Sequence, residues 1–212
     1  MKIADLRQEY LRAALTENDV DPDPLQQFER WLHEAIKAQL PEPTAMTLTS
    51  VGTDGRPSAR IVLLKALDAR GLMFFTNYES RKAIELAENP RAALVFYWSD
   101  LKRQVRVQGE VTRASRDESE AYFRTRPPAS QYSAAASPQS RPIADRATLE
   151  AAVAEIAAQY GDREVPLPDH WGGYRLSPIA MEFWQGRPYR LHDRLRYERH
   201  PSGEWSLTRL AP

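Results

Sequence analysis

Two groups of cationic side chains lie where a phosphate or another anion could bind. Arg60 and Lys65 bracket the apolar run Ile61-Val62-Leu63-Leu64. A charge that borders a buried strand needs a partner, and the odd separation of these two cations places them on opposite faces of a regular strand. They therefore serve two different anionic groups, unless a bulge brings them together.

Ser80-Arg81-Lys82 begins a short helical pattern, where free N–H groups, two cations and a hydroxyl suit a phosphate. A plain N-cap followed by exposed cations explains these three residues equally well.

A second segment, after Trp184-Gln185-Gly186, combines cations with an imidazole. In an extended conformation Arg190, His192 and Arg194 share one face, and arginine binds phosphate bidentately and stacks on flat rings. The two neighbouring positive charges disfavour protonation of His192. The pattern predicts a stripe that binds anions and rings, with a solvated strand face as the alternative.

Several other kinds of chemistry are missing from the chain. Without cysteine there is no disulfide, no thiolate nucleophile and no cysteine-bound metal. The dinucleotide-binding, P-loop, zinc-protease and serine-hydrolase motifs are absent, and the four histidines lack metal-ligand spacing. We therefore expect no metal site, and any redox reaction must take its reactive atom from a cofactor or the substrate.

Composition limits the class of protein further. The 212 residues include 29 basic and 29 acidic side chains, so the chain is one domain in size and has no net charge. A protein with no net charge lacks the positive electrostatic field on which a sequence-independent nucleic-acid binder relies. The N-terminus has no apolar signal region, and no apolar run approaches a membrane span. We expect a cytoplasmic protein without nucleic-acid or membrane partners.

Hydropathy and turn patterns predict the elements that position these residues. Helical spacing predicts helices over 24–40, 117–125 and 146–160, and a short helix from Ser80 to Asn89-Pro90. Strands are predicted over 45–51, 61–64, 72–76, 92–98 and 103–112, and near 173–183, 188–199 and 204–210. Because the order lacks βαβ alternation, we expect a mainly β, α+β fold built on an antiparallel barrel.

Two segments stand apart from this barrel. Residues 1–20 are predicted to form an N-terminal arm, and 21–212 a single domain. The Ser/Ala/Pro/Gln-rich stretch 127–142 is long for a loop in a compact domain. It is therefore either disordered or functional.

Short motifs along nearly the whole chain carry a family resemblance. They are Arg7-Gln8-Glu9-Tyr10, Asp23-Pro24 with Phe28-Glu29-Arg30-Trp31-Leu32, Arg60-Ile61-Val62-Leu63-Leu64-Lys65, Ser80-Arg81-Lys82-Ala83, Arg103-Gln104-Val105, Gln139-Ser140, Trp171-Gly172-Gly173-Tyr174-Arg175, Glu182-Phe183-Trp184-Gln185-Gly186, Arg190-Leu191-His192-Asp193-Arg194 and Arg209-Leu210-Ala211-Pro212. In these motifs and their order the chain resembles the pyridoxine (pyridoxamine) 5′-phosphate oxidase family, the FMN enzymes that make pyridoxal 5′-phosphate.

The resemblance implies a fold and a reaction. The fold is an FMN-binding split barrel that works as a homodimer, with two FMN sites at the subunit interface built from both chains. The reaction oxidises the C4′ alcohol or amine of the phosphorylated substrate to the aldehyde, after which oxygen reoxidises the flavin and releases hydrogen peroxide. The arm and the 127–142 stretch would then cover the ligands.

The resemblance also implies roles for individual residues. Family FMN contacts carry over to Arg60, Lys65, Phe75, Thr76, Arg81, Lys82, Gln104, Gln139, Ser140, Trp184 and Arg194. Family substrate contacts carry over to Lys65, Tyr122, Arg126, Ser130, Arg190 and His192, together with Arg7 and Tyr10 of the arm. Arg190 would cover the pyridine ring with His192 beside it, which makes these two the catalytic candidates.

Two alternatives differ from this hypothesis in substrate or in class. One is a related split-barrel flavin oxidase, such as a phenazine-pathway enzyme, that acts on another flat substrate. The other is a non-catalytic module that binds flavin, phosphate or nucleic acid. The complete set of substrate-contact residues favours the phosphorylated pyridine.

Overall fold

The computed structural model describes residues 14–161 and 163–212. The helices in these ranges are α1 (Pro24–Lys37), α2 (Arg81–Glu88), α3 (Arg116–Arg124), α4 (Pro128–Ala136) and α5 (Arg146–Tyr160). The strands are β1 (Ala45–Val51), β2 (Pro57–Leu63), β3 (Ala66–Asp68), β4 (Gly71–Asn77), β5 (Arg91–Trp98), β6 (Arg103–Arg113), β7 (Trp171–Gln185), β8 (Asp193–Arg199) and β9 (Trp205–Arg209).

The nine strands form one antiparallel sheet that curls into a barrel. The order is β2-β1-β5-β6-β7-β4-β3, with β8 paired to β7 and β9 to β8. The long strand β7 pairs with β4 through its first half and with β8 through its second half. Its register with β6 shifts between Gln108 and Gly109, where a Cβ on Gly109 would lie 2.2 Å from the Ser177 carbonyl oxygen. The bulge bends the sheet at the middle of β7, and the predicted antiparallel barrel is confirmed.

Helix α1 packs its apolar face against the interior of the barrel. Asp23 caps it by accepting the Leu25 N–H at 2.8 Å, and Pro24 occupies the first turn. Phe28 lies 4.8 Å from Phe96 and Trp31 lies 5.2 Å from Phe183, measured between ring centroids. Each buried ring contributes about 1.5–3 kcal/mol to stability. The helix is therefore part of the core.

The stretch 127–142 is ordered, so the disordered alternative is wrong. Residues 128–136 form α4, which packs against α5. The Tyr132 hydroxyl donates to the Gly161 carbonyl at 2.9 Å, and its ring packs beside the buried Phe123 and Trp171. The long stretch therefore forms part of a second, smaller core next to the barrel.

The predicted extended face over Arg190, His192 and Arg194 is also wrong. Residues 188–190 form a 3-10 turn, and β8 begins only at Asp193. Tyr189 and Arg190 have φ values of 57° and 62°, a left-handed conformation that a regular strand cannot contain. Because Arg190 lies in this turn, strand alternation does not place its side chain on the same face as His192 and Arg194.

The described part of the predicted arm lies on the barrel. Leu15 is buried in the core, and its N–H donates to Asp193 at 3.0 Å. Its carbonyl accepts from Arg209 at 2.9 Å. Across the part of the chain that the structure describes, no helix has the length and hydropathy of a membrane span.

Candidate active site

A cleft of about 470 Å³ opens beside the ends of β2 and β4. It gathers eight of the residues that the sequence singles out, and four that were given no role. The lining consists of Arg60, Lys65, Phe75, Thr76, Lys82, Tyr122, Arg126 and Gln139, together with Ile61, Val62, Leu63 and Trp171. Since β2 ends at Leu63, Lys65 lies beyond the strand, and the alternation of side chains between the two faces does not apply to it. Arg60 and Lys65 therefore line the same cleft.

One end of the cleft is a cluster of polar groups around Lys82. The Lys82 ammonium lies 2.7 Å from Gln139 Oε1, 3.0 Å from Thr76 Oγ1 and 3.2 Å from Ser80 Oγ. Burial and the charge of Arg60 lower the pKa of Lys82 to about 8. Ser80 makes no side-chain cap to α2, so its hydroxyl serves this cluster. Ser80 thus holds the N-cap position and Arg81 is exposed, as the plain N-cap explanation expects, but Lys82 is half-buried and in contact with the Ser80 hydroxyl.

Arg60 lines the same end, and Arg81, which does not line the cleft itself, shares one carboxylate with it. Arg60 contacts Glu85 at 3.3 Å, and Arg81 Nε contacts it at 2.8 Å. Arg60 also donates to the Leu48 carbonyl at 3.2 Å and to Ser50 Oγ at 2.6 Å. With Lys82, the two arginines make a concentration of positive charge suited to a phosphate.

Aromatic rings form one wall of the cleft. Phe75 stacks on Tyr122 with centroids 4.0 Å apart and planes 19° apart, and on Trp171 at 5.6 Å and 12°. Tyr122 comes from α3, whereas the other two rings lie on the paired strands β4 and β7. This wall gives the site a rigid flat surface.

Arg126 holds an unsatisfied charge at the aromatic wall. Its guanidinium carbon lies 4.8 Å from the centroid of the Trp171 ring. Its Nη1 is buried and has no hydrogen-bond partner among the described residues, and burial lowers the pKa of the guanidinium. A buried donor without an acceptor costs about 1–3 kcal/mol or more. An anionic ligand in the cleft would remove that cost.

Ser130 lies within α4, and Ser140 follows that helix. Ser130 is half-buried in the first turn of this helix, and Ser140 is exposed with a φ of 72°. Neither side chain lines the cleft. Arg7 and Tyr10 lie outside the described residues.

The remaining candidates, Gln104, Trp184, Arg190, His192 and Arg194, do not line the cleft of their own chain. Trp184 is cross-strand to Gln104 on β6 and Arg194 on β8, whereas the cleft residue Phe75 is cross-strand to Gly173. Gly173 and Trp184 are about 35 Å apart measured along β7, at about 3.3 Å per residue. The partner of Phe75 and the partner of Gln104 and Arg194 therefore lie at opposite ends of β7.

The turn after β7 fixes the orientation of His192. The Arg187 N–H donates to His192 Nδ1 at 3.1 Å, and the ring lies 4.6 Å from that of Trp184. Burial and the charge of Arg190 lower the pKa of His192. The ring is therefore neutral near pH 7 with its proton on Nε2, which makes Nε2–H a hydrogen-bond donor.

Apolar side chains on the outer face of the sheet are exposed. Ile61, at the cleft, is 64% exposed and Tyr97 is 56% exposed. Tyr97 is cross-strand to Gln104, next to Trp184. In the turn, Tyr189 and Leu191 are 84% and 68% exposed. Exposed apolar groups of this size mark an interaction surface, and here they lie beside both groups of site residues.

The sequence reasoning missed Trp171, Glu85 and the lining role of Ile61-Val62-Leu63. Trp171 and the apolar run both lie inside motifs of the family resemblance. The signal for Glu85 was its position four residues after Arg81, which permits an ion pair on one face of a helix.

Comparisons with known proteins agree along the whole chain. The family model "Pyridoxamine 5'-phosphate oxidase" matches residues 32–160, and "Pyridoxine 5'-phosphate oxidase C-terminal dimerisation region" matches residues 171–212. The chain is 57% identical over 211 residues to "Pyridoxine/pyridoxamine 5'-phosphate oxidase" of Cupriavidus necator, covering 100% of this chain and 99% of that one. It is 59% identical over 212 residues to the protein of the same name from Burkholderia vietnamiensis, covering 99% of each.

Solved structures share the fold. PhzG from Burkholderia lata 383, solved with tetrahydrophenazine-1-carboxylic acid, has a TM-score of 0.88 at 35% identity, covering 94% of this chain and 98% of that one. A "pyridoxamine 5'-phosphate oxidase-related, FMN binding protein" from Nostoc punctiforme has a TM-score of 0.70 at 20% identity, covering 87% and 97%. The predicted split barrel is confirmed.

Proposed function

The chain belongs to the pyridoxamine 5′-phosphate oxidase family, and from this premise we propose that it oxidises pyridoxine 5′-phosphate or pyridoxamine 5′-phosphate at C4′. The product is pyridoxal 5′-phosphate, FMN is the cofactor, and oxygen is the electron acceptor that yields hydrogen peroxide. The chain works as a homodimer in the cytoplasm, and each FMN site takes residues from both subunits.

The cleft itself carries this proposal, because it has two separate sets of cations beside a flat aromatic wall. Arg60 and Lys82 line one end, and Arg81 lies beside Arg60 through their shared partner Glu85. Arg126 lies over Trp171 with a buried, unpartnered Nη1, and Lys65 lines the same cleft. Two cationic sets fit two phosphorylated ligands with flat rings, one a cofactor and the other a substrate.

The residues at the Lys82 end fit the phosphate of FMN. Arg60, Arg81 and Lys82 would hold its charge, and Thr76 and Gln139 would accept or donate the remaining hydrogen bonds. Trp184, Gln104 and Arg194 of a second subunit would complete the flavin site, since they do not line the cleft of their own chain. Bound FMN supplies a two-electron acceptor that oxygen reoxidises.

The protein's own contribution to the reaction is positioning. Lys65, Arg126, Tyr122 and Ser130 would bind the substrate phosphate at the aromatic wall. Arg190 of the second subunit would cover the pyridine ring, and the neutral His192 would donate from Nε2–H to an oxygen of the substrate. Holding the reacting carbon against the flavin requires no protein nucleophile.

A phenazine-pathway substrate is the second candidate, favoured by the TM-score of 0.88 with PhzG. The 57% identity to a pyridoxine/pyridoxamine 5′-phosphate oxidase against 35% to PhzG favours the phosphorylated pyridine. The unpartnered Nη1 of Arg126 also fits a phosphate dianion.

An absorbance measurement, first without oxygen and then in air, tests the proposed reaction. The purified protein is expected to show a flavin absorbance band that bleaches on anaerobic addition of pyridoxine or pyridoxamine 5′-phosphate. The band should return with air as pyridoxal 5′-phosphate accumulates. A flavin band that neither substrate bleaches would favour the phenazine-type enzyme or the non-catalytic module. The absence of any flavin band, even after FMN is added, would contradict the cofactor assignment.

Lys82 is expected to make FMN binding depend on pH. Its pKa of about 8 means that the free chain loses the ammonium charge above pH 8, whereas a bound phosphate favours the charged form. Binding therefore takes up a proton, and the dissociation constant of FMN should rise by up to about fivefold from pH 8 to pH 9. Quenching of flavin fluorescence measures it.

The Lys82→Ala variant serves as the control for this pH profile. It should bind FMN more weakly than the unaltered chain at pH 7 and show a flat profile up to pH 9. A variant that keeps its flavin through dialysis would contradict the role of Lys82.

A further inference from the structure

Glu85 is a buried carboxylate that the proposed reaction does not use. It is 7% exposed, lies on α2 and faces the strands β1 and β2. Its Oε2 accepts from Ser50 Oγ at 2.6 Å and from Ser58 Oγ. Glu85 Oε2 also forms an ion pair with Arg60, and Glu85 Oε1 forms one with Arg81. One side chain thus contacts two of the three cations at the proposed phosphate end.

The carboxylate also orients the two serine hydroxyls toward Arg60. Ser50 donates to Glu85 and accepts from Arg60 Nη1 at 2.6 Å, and Ser58 donates to Glu85 and accepts from Arg60 Nη2. A hydroxyl has one proton, so each serine can accept from Arg60 only while its proton is directed at an acceptor elsewhere. Glu85 provides that acceptor for both serines.

The charge of Glu85 is permanent in the working range of pH. Burial opposes its ionisation, but the hydrogen bonds from Ser50, Ser58 and Arg81 outweigh burial and lower its pKa to about 2. Arg60, Arg81 and a protonated Lys82 together with this carboxylate leave a net charge of about +2. A phosphate monoester carries about −1.5 to −2 at pH 7. The cluster therefore matches a phosphate monoester in charge.

We propose that Glu85 is a positioning residue that holds Arg60 and Arg81 for the phosphate of the flavin, and thereby makes this chain select FMN over flavin without a phosphate. The inference rests on the proposed FMN site. Two effects of the carboxylate oppose each other, since its charge repels a phosphate whereas its contacts hold the arginines in place. The serine geometry decides the sign, because an amide at this position would turn its NH2 group either toward Arg81 or toward Ser50, Ser58 and Arg60, all of which donate to the carboxylate.

The test compares FMN with riboflavin, which has the same ring system and no phosphate. Dissociation constants are measured by flavin fluorescence quenching for the flavin-free full-length protein and for Glu85→Gln. We expect about tenfold weaker FMN binding in the variant and riboflavin binding within about twofold of the unaltered chain. A purely structural role would weaken both ligands alike and leave their ratio unchanged.

Glu88→Gln is the matched control. Glu88 lies one turn further along α2, is exposed, and contacts Thr53 rather than the arginines. This variant should keep the FMN to riboflavin ratio of the unaltered chain.

The outcomes separate this inference from the cofactor assignment. If the unaltered chain prefers FMN and Glu85→Gln keeps or increases that preference, the role of Glu85 is overturned while the FMN site stands. If the unaltered chain binds neither flavin, the FMN site fails and the inference fails with it. An equal loss of preference in Glu88→Gln would also overturn the specific role of Glu85.

Discussion

Replacing Arg190 with alanine is expected to lower kcat/KM for pyridoxine 5′-phosphate by about 100-fold or more and to leave FMN bound. The exposed Arg190 is displayed by a turn in which it and Tyr189 both have left-handed φ values. In the proposed dimer the exposed guanidinium would cover the substrate ring in the second subunit's cleft. Steady-state kinetics with a flavin absorbance spectrum of the same sample separate the two effects.

Arg199→Ala is the control for Arg190→Ala. Arg199 is exposed at the end of β8, with its guanidinium 6.0 Å from the Trp205 ring and outside the turn. It should keep the kcat/KM of the unaltered chain. An Arg190→Ala variant with unchanged kcat/KM would remove Arg190 from the catalytic set.

Replacing Arg175 with leucine should cost about 3 kcal/mol of the free energy of unfolding. Its side chain is 7% exposed and contacts Asp68 at 2.6 Å and Glu118 at 2.9 Å. Without it, the cationic partner that these two partly buried carboxylates keep in an ion pair is the exposed Arg70. The melting temperature should fall by roughly 6–12 °C, measured at fixed protein concentration without added flavin.

Arg146→Leu gives the comparison for Arg175→Leu. Arg146 forms an exposed pair with Glu150 one turn along α5, and such pairs contribute little to stability. Its melting temperature should stay within about 2 °C of the unaltered chain. Equal falls in melting temperature in the two variants would show that burial of the Arg175 ion pairs adds nothing to the stability of the fold.

The sequence predicted elements well where local patterns are strong. The strand 45–51 and the helix 146–160 have the predicted bounds, because alternation and helical spacing act over neighbouring residues. The helix predicted over 24–40 ends at Lys37, since Gln39 has a φ of 54° and leaves the helix. Strand β3, with three residues, is too short to produce a pattern.

Prediction failed where tertiary packing decides the conformation. Helix α4 is rich in serine and alanine and has no fully buried residue, so its sequence has no apolar face to indicate a helix. The turn at Tyr189 and Arg190 contains left-handed residues without a glycine to signal them. For this reason periodicity wrongly placed Arg190, His192 and Arg194 on one strand face.

The candidate site was predictable in part. Arg60, Lys65 and Lys82 were found from charge and position, and the structure places all three at one cleft. The aromatic wall of Phe75, Tyr122 and Trp171 joins two strands and a helix that are distant in sequence. Only the fold brings such rings together, so residue spacing alone could not reveal the wall.

The central claim, that each active site takes residues from two chains, is tested by complementation between two inactive variants. One chain carries Arg126→Ala in the cleft, and the other carries Arg190→Ala in the turn. Different tags allow the mixed dimer to be purified. In a mixed dimer one site has both defects and the other has neither. We predict that it has about half the activity of the unaltered dimer, whereas a mixed dimer no more active than either parent dimer would contradict a site shared between subunits.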